Sequence, residues 1–492
     1  MSKPFGRIAP ERTTPLEWAA ALDAHPRIRA VEMEYGPEGN LSRIHVVPHE
    51  DTSGLGTIVE DFAVDSWRAV FEDCYDPAGS DDELEDARYR GWRDGITGLP
   101  VPAADMAEWA DVTVERIARR APRRILEIGA GFGLLMEPLV RRLRPASYTA
   151  TDFSQHAVAR LRELAGPLTA QSPDTEITVA EGDALARPPG DGYDMVVINS
   201  VVQYFPSVLY LEAVLRRVLP LVQPGGHVYL GDLRHPRLLG AMTALGHRRA
   251  APGAARETLA ARVARDLRLD GELAVDPGHL HQLPRCFPKV TEVESAPRRG
   301  AAPTEMTLYR YDAVLHVGCA KPDGGPEWAD GGELTLERAV AAFASPSAVA
   351  FRGIPNARLT DGLRAWRDWG TSQADAGGAE AHGAGTCGTA LDPELLCTLA
   401  EQAGRRPGLR WTPEGDDGRF DLWCPEEDGT RQPSCTEAPA PGDDAPPARQ
   451  PVYPPGTEAR RREEIRSAVA ALLAPGDEPP EVVFVSWLPG AR

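Results

Sequence analysis

The amino-acid sequence predicts an α/β fold: a doubly wound parallel sheet closed at one edge by an antiparallel hairpin, with a small α+β subdomain formed by the two flanks. Three observations carry this expectation. From residue 121, short apolar runs alternate with amphipathic segments of helical period, the pattern of a parallel sheet covered by helices on both faces. The first run, "RILEIGAGFG", breaks into glycines at 129, 131 and 133 before turning amphipathic. Two β-patterned runs, "KVTEVESAP" and "MTLYRYDAVLHVG", follow the alternating region, joined by a basic, Gly-containing loop.

Each element has its own local cause. In residues 1–55, "LEWAAALDAHP" reads as an amphipathic helix, and "IRAVEMEYG" and "SRIHVVP" as strands joined by the turn-prone "PEGN". Residues 56–120 are helical in pattern and rich in Trp, interrupted by the acidic "SDDELED". The core, 121–320, alternates strand "RILEIGA", helix "GLLMEPLVRRL", strand "SYTATD", helix "SQHAVARLRELA", strands "EITVAEGDA" and "YDMVVINS", helix "SVLYLEAVLRRVLPLV" and strand "GHVYLGDL". Helical segments then run to about residue 283, ahead of the β-patterned pair. Residues 321–426 continue this region, with a Gly- and Ala-rich stretch at 371–390; 427–457 reads as a Pro- and acid-rich linker; 458–492 returns to the small subdomain.

Composition excludes several functions. Acidic residues outnumber basic ones 73 to 53, a formal charge of -20, which argues against tracking a phosphate backbone and so against a nucleic-acid partner. No run approaches the roughly 18 apolar residues of a membrane span, and the start lacks a signal peptide's apolar segment, so the expectation is a cytoplasmic protein with no membrane association. The seven cysteines are scattered, with no C-x-x-C pair, which predicts neither a disulfide framework nor a metal site.

The glycine turn narrows the ligand. A dinucleotide fingerprint needs G-x-G-x-x-G, but position 134 is Leu; a P-loop needs a following G-K-S or G-K-T, which is absent. Asp152 falls 19 residues after Gly133, at the end of the second strand, where a carboxylate accepts hydrogen bonds from both hydroxyls of a ribose. A ribose clamp, a bare glycine turn and no diphosphate pocket fit S-adenosylmethionine. The plainer alternative is a tight turn with Asp152 only capping the helix that begins at Ser154. Asp183 in "EGDA" is placed to meet the adenine amino group, or else is an ordinary turn carboxylate, and Asn199 follows the fourth strand. Glu127, Gly129, Gly131, Gly133, Asp152, Phe153, Asp183, Ala184 and Asn199 make up the expected cofactor-binding set.

These residues resemble the class I methyltransferases, whose sheet is Rossmann-like, and more narrowly the methyltransferase domains inserted in the adenylation domains of nonribosomal peptide synthetases. The narrower resemblance rests on "GWRDGITGLPVPAADMAEW", "NSVVQYFPSVLYLEAV", "GDLRHPRLL", "MTLYRYDAVLHVG", "GIPNARL" and "DGRFDLW", which span about residues 60 to 425. Where the family reads close to G-W-N-S-S-Y-T-G, this chain has Arg93, Asp94, Gly95 and Ile96. The flanks resemble the two ends of an adenylation domain's small subdomain, without the large ATP-binding subdomain and without a Gly-Lys motif after "VSWLPGAR", so amino-acid activation is not expected. The resemblance implies methylation of a carrier-tethered amino acid on its nitrogen, or on a side-chain heteroatom or carbon, with a carrier protein or synthetase module as partner.

Methyl transfer is an in-line displacement, so the protein's main task is alignment. Asn199 and Tyr204, beside the end of the fourth strand, are candidates to orient the acceptor; His235 is a candidate to take a proton, and Glu305 to face the acceptor from the edge hairpin. Arg234 either binds a phosphate or pairs with a neighbouring carboxylate, and Trp67, Trp92 and Trp109 either stack on the cofactor or pack in the core. Two other readings stand beside the tethered substrate: a methyltransferase acting on a free small molecule, and a catalytically inert chain that docks on a synthetase.

Overall fold

The computed structural model describes residues 28–35, 41–48, 56–75, 89, 92–319, 327–374, 390–412, 418–425, 448–449 and 481–484. The chain divides into two units, residues 1–65 with 453–492, and residues 66–452. In the first, Ile28–Tyr35 (β1) and Leu41–Pro48 (β2) pair antiparallel, and Glu481–Phe484 (β16) runs parallel to β2. A strand from the carboxyl flank thus completes a sheet begun near the amino end. The helix expected from residue 16, the 427–447 stretch and the helix expected near 463 lie outside the described residues.

The second unit is built on a seven-stranded sheet. Its strands are Arg124–Ile128 (β3), Ser147–Asp152 (β4), Glu176–Glu181 (β5), Tyr193–Asn199 (β6), Val222–Arg234 (β7), Val290–Pro297 (β9) and Arg310–Val317 (β10). They lie in the order β5-β4-β3-β6-β7-β10-β9, parallel from β5 to β7 and antiparallel from β7 to β9. Ile125 and Leu126 of β3 and Met195 to Ile198 of β6 are wholly buried, as central strands covered on both faces require. Ala103–Ala118 (α2), Met136–Leu143 (α3) and the sheet enclose the main core around Met106, Ile117, Leu139 and Tyr148. Gly56–Tyr75 (α1) precedes them, and Gln155–Gln171 (α4) and Val208–Val218 (α5) start at Ser154 and Ser207, whose hydroxyls accept the N–H groups of Ala157 and Tyr210.

Some boundaries differ from the sequence expectation. The first core helix begins at Met136 rather than Gly133, because the preceding glycines hold left-handed backbone that a helix cannot include. The "MTLY" run is a short helix, Glu305–Tyr309, and the strand begins at Arg310. Its first N–H, that of Glu305, is taken by Asp94 Oδ1 at 2.8 Å, a cap from 211 residues away that no local periodicity reveals. Ala274–Val275 (β8) pairs with Ala448–Arg449 (β15).

Residues 327–425 form a separate four-stranded sheet of Ala329–Asp330 (β11), Val349–Ile354 (β12), Gly408–Trp411 (β13) and Phe420–Cys424 (β14), in the order β11-β12-β14-β13. Its own core gathers Phe343, Ile354, Leu396, Phe420 and Leu422. Among the described residues, no helix is long and apolar enough to cross a membrane.

Candidate active site

The glycine turn sits where β3 ends. Gly129, Gly131 and Gly133 have φ of +72°, +52° and +80°, and side chains at 129 and 133 would collide with Val201 and Leu164. The N–H groups of Gly129 and Ala130 both bond the Thr151 carbonyl, at 2.8 and 3.0 Å, which pulls the turn against the end of β4.

Asp152 ties the same turn to the next helix. Its Oδ2 accepts Gly131 N–H at 2.8 Å and its Oδ1 accepts Ser154 N–H at 2.9 Å. The N-cap of the helix that follows is Ser154 rather than Asp152. A carboxylate has about four acceptor sites, so with the N–H groups of Gly131, Ser154 and Phe153 against it Asp152 keeps room for a ribose hydroxyl. Burial pushes its pKa up to about 6, against the lowering effect of the backbone N–H groups.

Glu127 lies deeper. Its Oε2 accepts the Tyr148 hydroxyl at 2.7 Å, and burial raises its pKa to about 8, with the Asp152 charge adding to the shift. It supports the turn from the interior, bonded to the sheet. Asp183 holds the turn after β5 through Oδ1, which accepts the N–H groups of Leu185 and Ala186 at 2.9 and 2.8 Å, beside buried Ala184.

An aromatic wall from α1 faces this turn. Tyr75 stacks on Phe132 with ring centroids 4.4 Å apart, Phe71 lies 6.1 Å from Phe153 and 5.0 Å from Tyr204, and Trp67 lies 4.6 Å from Tyr204. The Tyr75 phenol is pushed well up, first by burial and then by the charge of Asp152. Of the three tryptophans weighed from sequence, Trp67 is in this wall; Trp109 is in the core, with Trp92 packed against it.

At the other end, two non-glycine residues in left-handed backbone lie side by side: Ser200 (φ +56°) after β6, and Asp232 (φ +62°) at a bulge in β7. Such backbone costs on the order of 1–3 kcal/mol per residue, which surrounding bonds must offset. Asn199 Nδ2 donates to Ser200 Oγ at 3.2 Å, and Ser200 Oγ donates to Asp232 Oδ2 at 2.9 Å. Asn199 Oδ1 is buried with no hydrogen-bond partner among the described residues. Arg310 Nη1 bonds Asp232 Oδ2 at 2.7 Å and its Nε bonds Glu305 Oε1 at 2.9 Å, while Glu305 Oε2 accepts Gly95 N–H at 2.9 Å. Two of the four residues that depart from the motif, Asp94 and Gly95, are therefore fastened to the site through Glu305.

Four more of the residues singled out from the sequence have definite surroundings. Burial alone would raise the Glu305 carboxyl, but Arg310 and Arg234 hold it below its ordinary value, and its Oε1 is anchored to Arg310. His235 is buried between the rings of Tyr311 and Trp411, 5.8 and 5.2 Å away. Tyr311 alternates with Arg310 along β10, so His235, in ring contact with Tyr311, packs on the face opposite Arg310. Arg234 forms a two-bond pair with Asp270 at 2.8 and 2.9 Å and lies 3.2 Å from Glu272, the salt-bridge reading rather than the phosphate one. Tyr204 stays at the site, and burial keeps its phenol protonated.

Sequence reasoning missed Phe71, Tyr75, Phe132, Ser200, Asp232 and Arg310. Asp232 and Arg310 stand inside motifs that drew attention, but their pairing across two strands has no local signal.

A family model described as a methyltransferase domain matches residues 126–228. The chain is 34% identical over 432 residues, 82% of its length, to chondramide synthase cmdD of Chondromyces crocatus. It is 30% identical over 62% of its length to the nonribosomal peptide synthetase asqK of Emericella nidulans, and 32% identical over 46% of its length to cyclosporin synthetase simA of Tolypocladium inflatum. It spans 11%, 13% and 2% of those relatives' own lengths.

Proposed function

We propose that this chain, whose residues 126–228 match a methyltransferase-domain model, transfers a methyl group from S-adenosylmethionine to an amino acid tethered to a carrier protein, within a peptide-synthetase assembly. The observation that carries this reading is the join of Asp152 to the Gly131 N–H at the carboxyl ends of β3 and β4. The residues present fit the cofactor: a turn with three left-handed glycines, a carboxylate with an acceptor site to spare, and a buried amide oxygen at Asn199 without a hydrogen-bond partner among the described residues. The relatives' names support the synthetase setting.

When bound, the cofactor supplies a methyl group already activated by a sulfonium. The chain's own residues then have to hold, align and desolvate. Asp152 takes a ribose hydroxyl, with Phe132, Phe153 and Tyr75 excluding water around it. Asn199 Oδ1 accepts an N–H of the acceptor amine, aiming the nitrogen's lone pair; Ser200 and Asp232 fix which way the amide faces. Trp67 and Tyr204 cover the acceptor's apolar part. Asp232 and Glu305 are both bound to Arg310, so the amine gives up its proton to water before transfer rather than to either carboxylate.

The experiment is incubation of the full chain with isotope-labelled S-adenosylmethionine and matched panels of free and carrier-loaded amino acids, with the methyl located by mass spectrometry. Label on the nitrogen of carrier-loaded species alone is the expected result. Label on free amino acids supports a small-molecule enzyme instead, and cofactor binding with no acceptor methylated sinks the reading.

A further inference from the structure

Away from this site, two histidines meet across adjacent strands. His227 of β7 and His316 of β10 are directly paired in the antiparallel register, their rings edge to face with centroids 4.9 Å apart. Cys319 follows β10 by two residues, and one ligand atom from each of the three side chains lies within 4.8 Å of the others. His227 is in register with Met195, four residues before Asn199 on β6, so the cluster lies about 13 Å along the strands from the methyl-transfer site, toward their amino ends.

We propose that His227, His316 and Cys319 bind a borderline-soft divalent cation of the zinc type. Two imidazoles and a sulfur suit that class, whereas calcium and magnesium call for oxygen ligands. A ligating imidazole usually donates its second N–H to a carboxylate, which fixes its tautomer and raises its basicity. Glu294 of β9 stands in that position: its Oε1 is 2.8 Å from His316 Nε2, and its Oε2 is held by Arg120 at 2.7 Å. Nε2 then carries the proton and Nδ1 presents the lone pair. His227, His316, Glu294 and Arg120 line a cavity of about 890 Å³, which gives an ion entry on the side of the imidazoles. On binding, the Cys319 S–H gives its proton to solvent as the sulfur–metal bond forms, with no change in oxidation state. Such an ion would pin β7 and β10 to the segment that leaves β10.

Cobalt(II) titration of the chelator-stripped full chain, read by visible and near-ultraviolet absorption, tests this with the metal alone. Expected are one equivalent bound, the intense visible bands of a tetrahedral site and a sulfur-to-cobalt charge-transfer band, all displaced by zinc. Cys319→Ser should lose the charge-transfer band, Glu294→Gln should weaken binding by about 10–100-fold, and Cys286→Ser, at an exposed cysteine, should change nothing. Absence of the bands at saturating cobalt, or an unchanged charge-transfer band in Cys319→Ser, overturns the proposal. Cys319 is only half-buried, so its serine variant is expected to fold, and circular dichroism verifies that before the titration.

Discussion

Arg310 and Asp232 meet at 2.7 Å at the bulge in β7, with the Asp232 side chain wholly shut off from water. Around them Ser200, Trp109 and Glu305 complete a polar cluster inside the sheet's carboxyl edge. Removing one member of a buried ion pair leaves the other uncompensated, which costs more than the pair contributes. Arg310→Met is therefore expected to destabilise the chain by about 3–5 kcal/mol, and Asp232→Asn/Arg310→Met by less than the sum of the single changes. Urea denaturation of the three variants is the check; additive losses would mean the two residues act independently.

Asp152→Ala is expected to weaken S-adenosylmethionine binding by about 2 kcal/mol, roughly 30-fold, through the lost charge-assisted bond to the ribose. In wild type, affinity should fall as pH drops through about 6, because a protonated carboxyl loses both its charge and an acceptor site. Calorimetry from pH 5 to 8 reads both effects. A flat profile removes Asp152 from the binding site.

Glu127 gives a stability signature. Its folded pKa of about 8 lies above its ordinary value of 4.5, so between those limits the folded chain holds a proton that the unfolded chain has released. Stability from this group is fully present below about 4.5 and is lost as pH rises toward 8, with a limiting slope of about 1.4 kcal/mol per pH unit. Glu127→Gln is neutral throughout and should remove this slope. Denaturant midpoints measured at several pH values compare the two chains; equal slopes would place an ionised carboxylate at Glu127.

Gly131→Val should abolish cofactor binding while the sheet still folds. A Cβ there would lie 3.2 Å from the Tyr75 hydroxyl and the residue would have to hold φ +52°, a strain on the order of 1–3 kcal/mol. Near-native circular dichroism with no calorimetric signal is the expected pair of results. Normal binding by the valine variant would put the ligand elsewhere.

The sequence by itself determined the elements whose causes are local. Strand and helix periods, the G-x-G-x-G turn and the spacing to Asp152 are written in consecutive residues, and all appear in the sheet from β3 to β7. What tertiary structure alone decided are the relations between distant residues. Asp94 capping Glu305, Arg310 joining Asp232, and α1 laying Phe71 and Tyr75 over the glycine turn each link segments far apart in the chain. The fate of His235 turned on a single step of strand alternation, which sends it to the face opposite Arg310. Cysteine spacing argued against a metal site, because spacing rules see only ligands that are neighbours in sequence. His227 and Cys319 become neighbours only when β10 folds back against β7, since a sheet's register sets which side chains share a face.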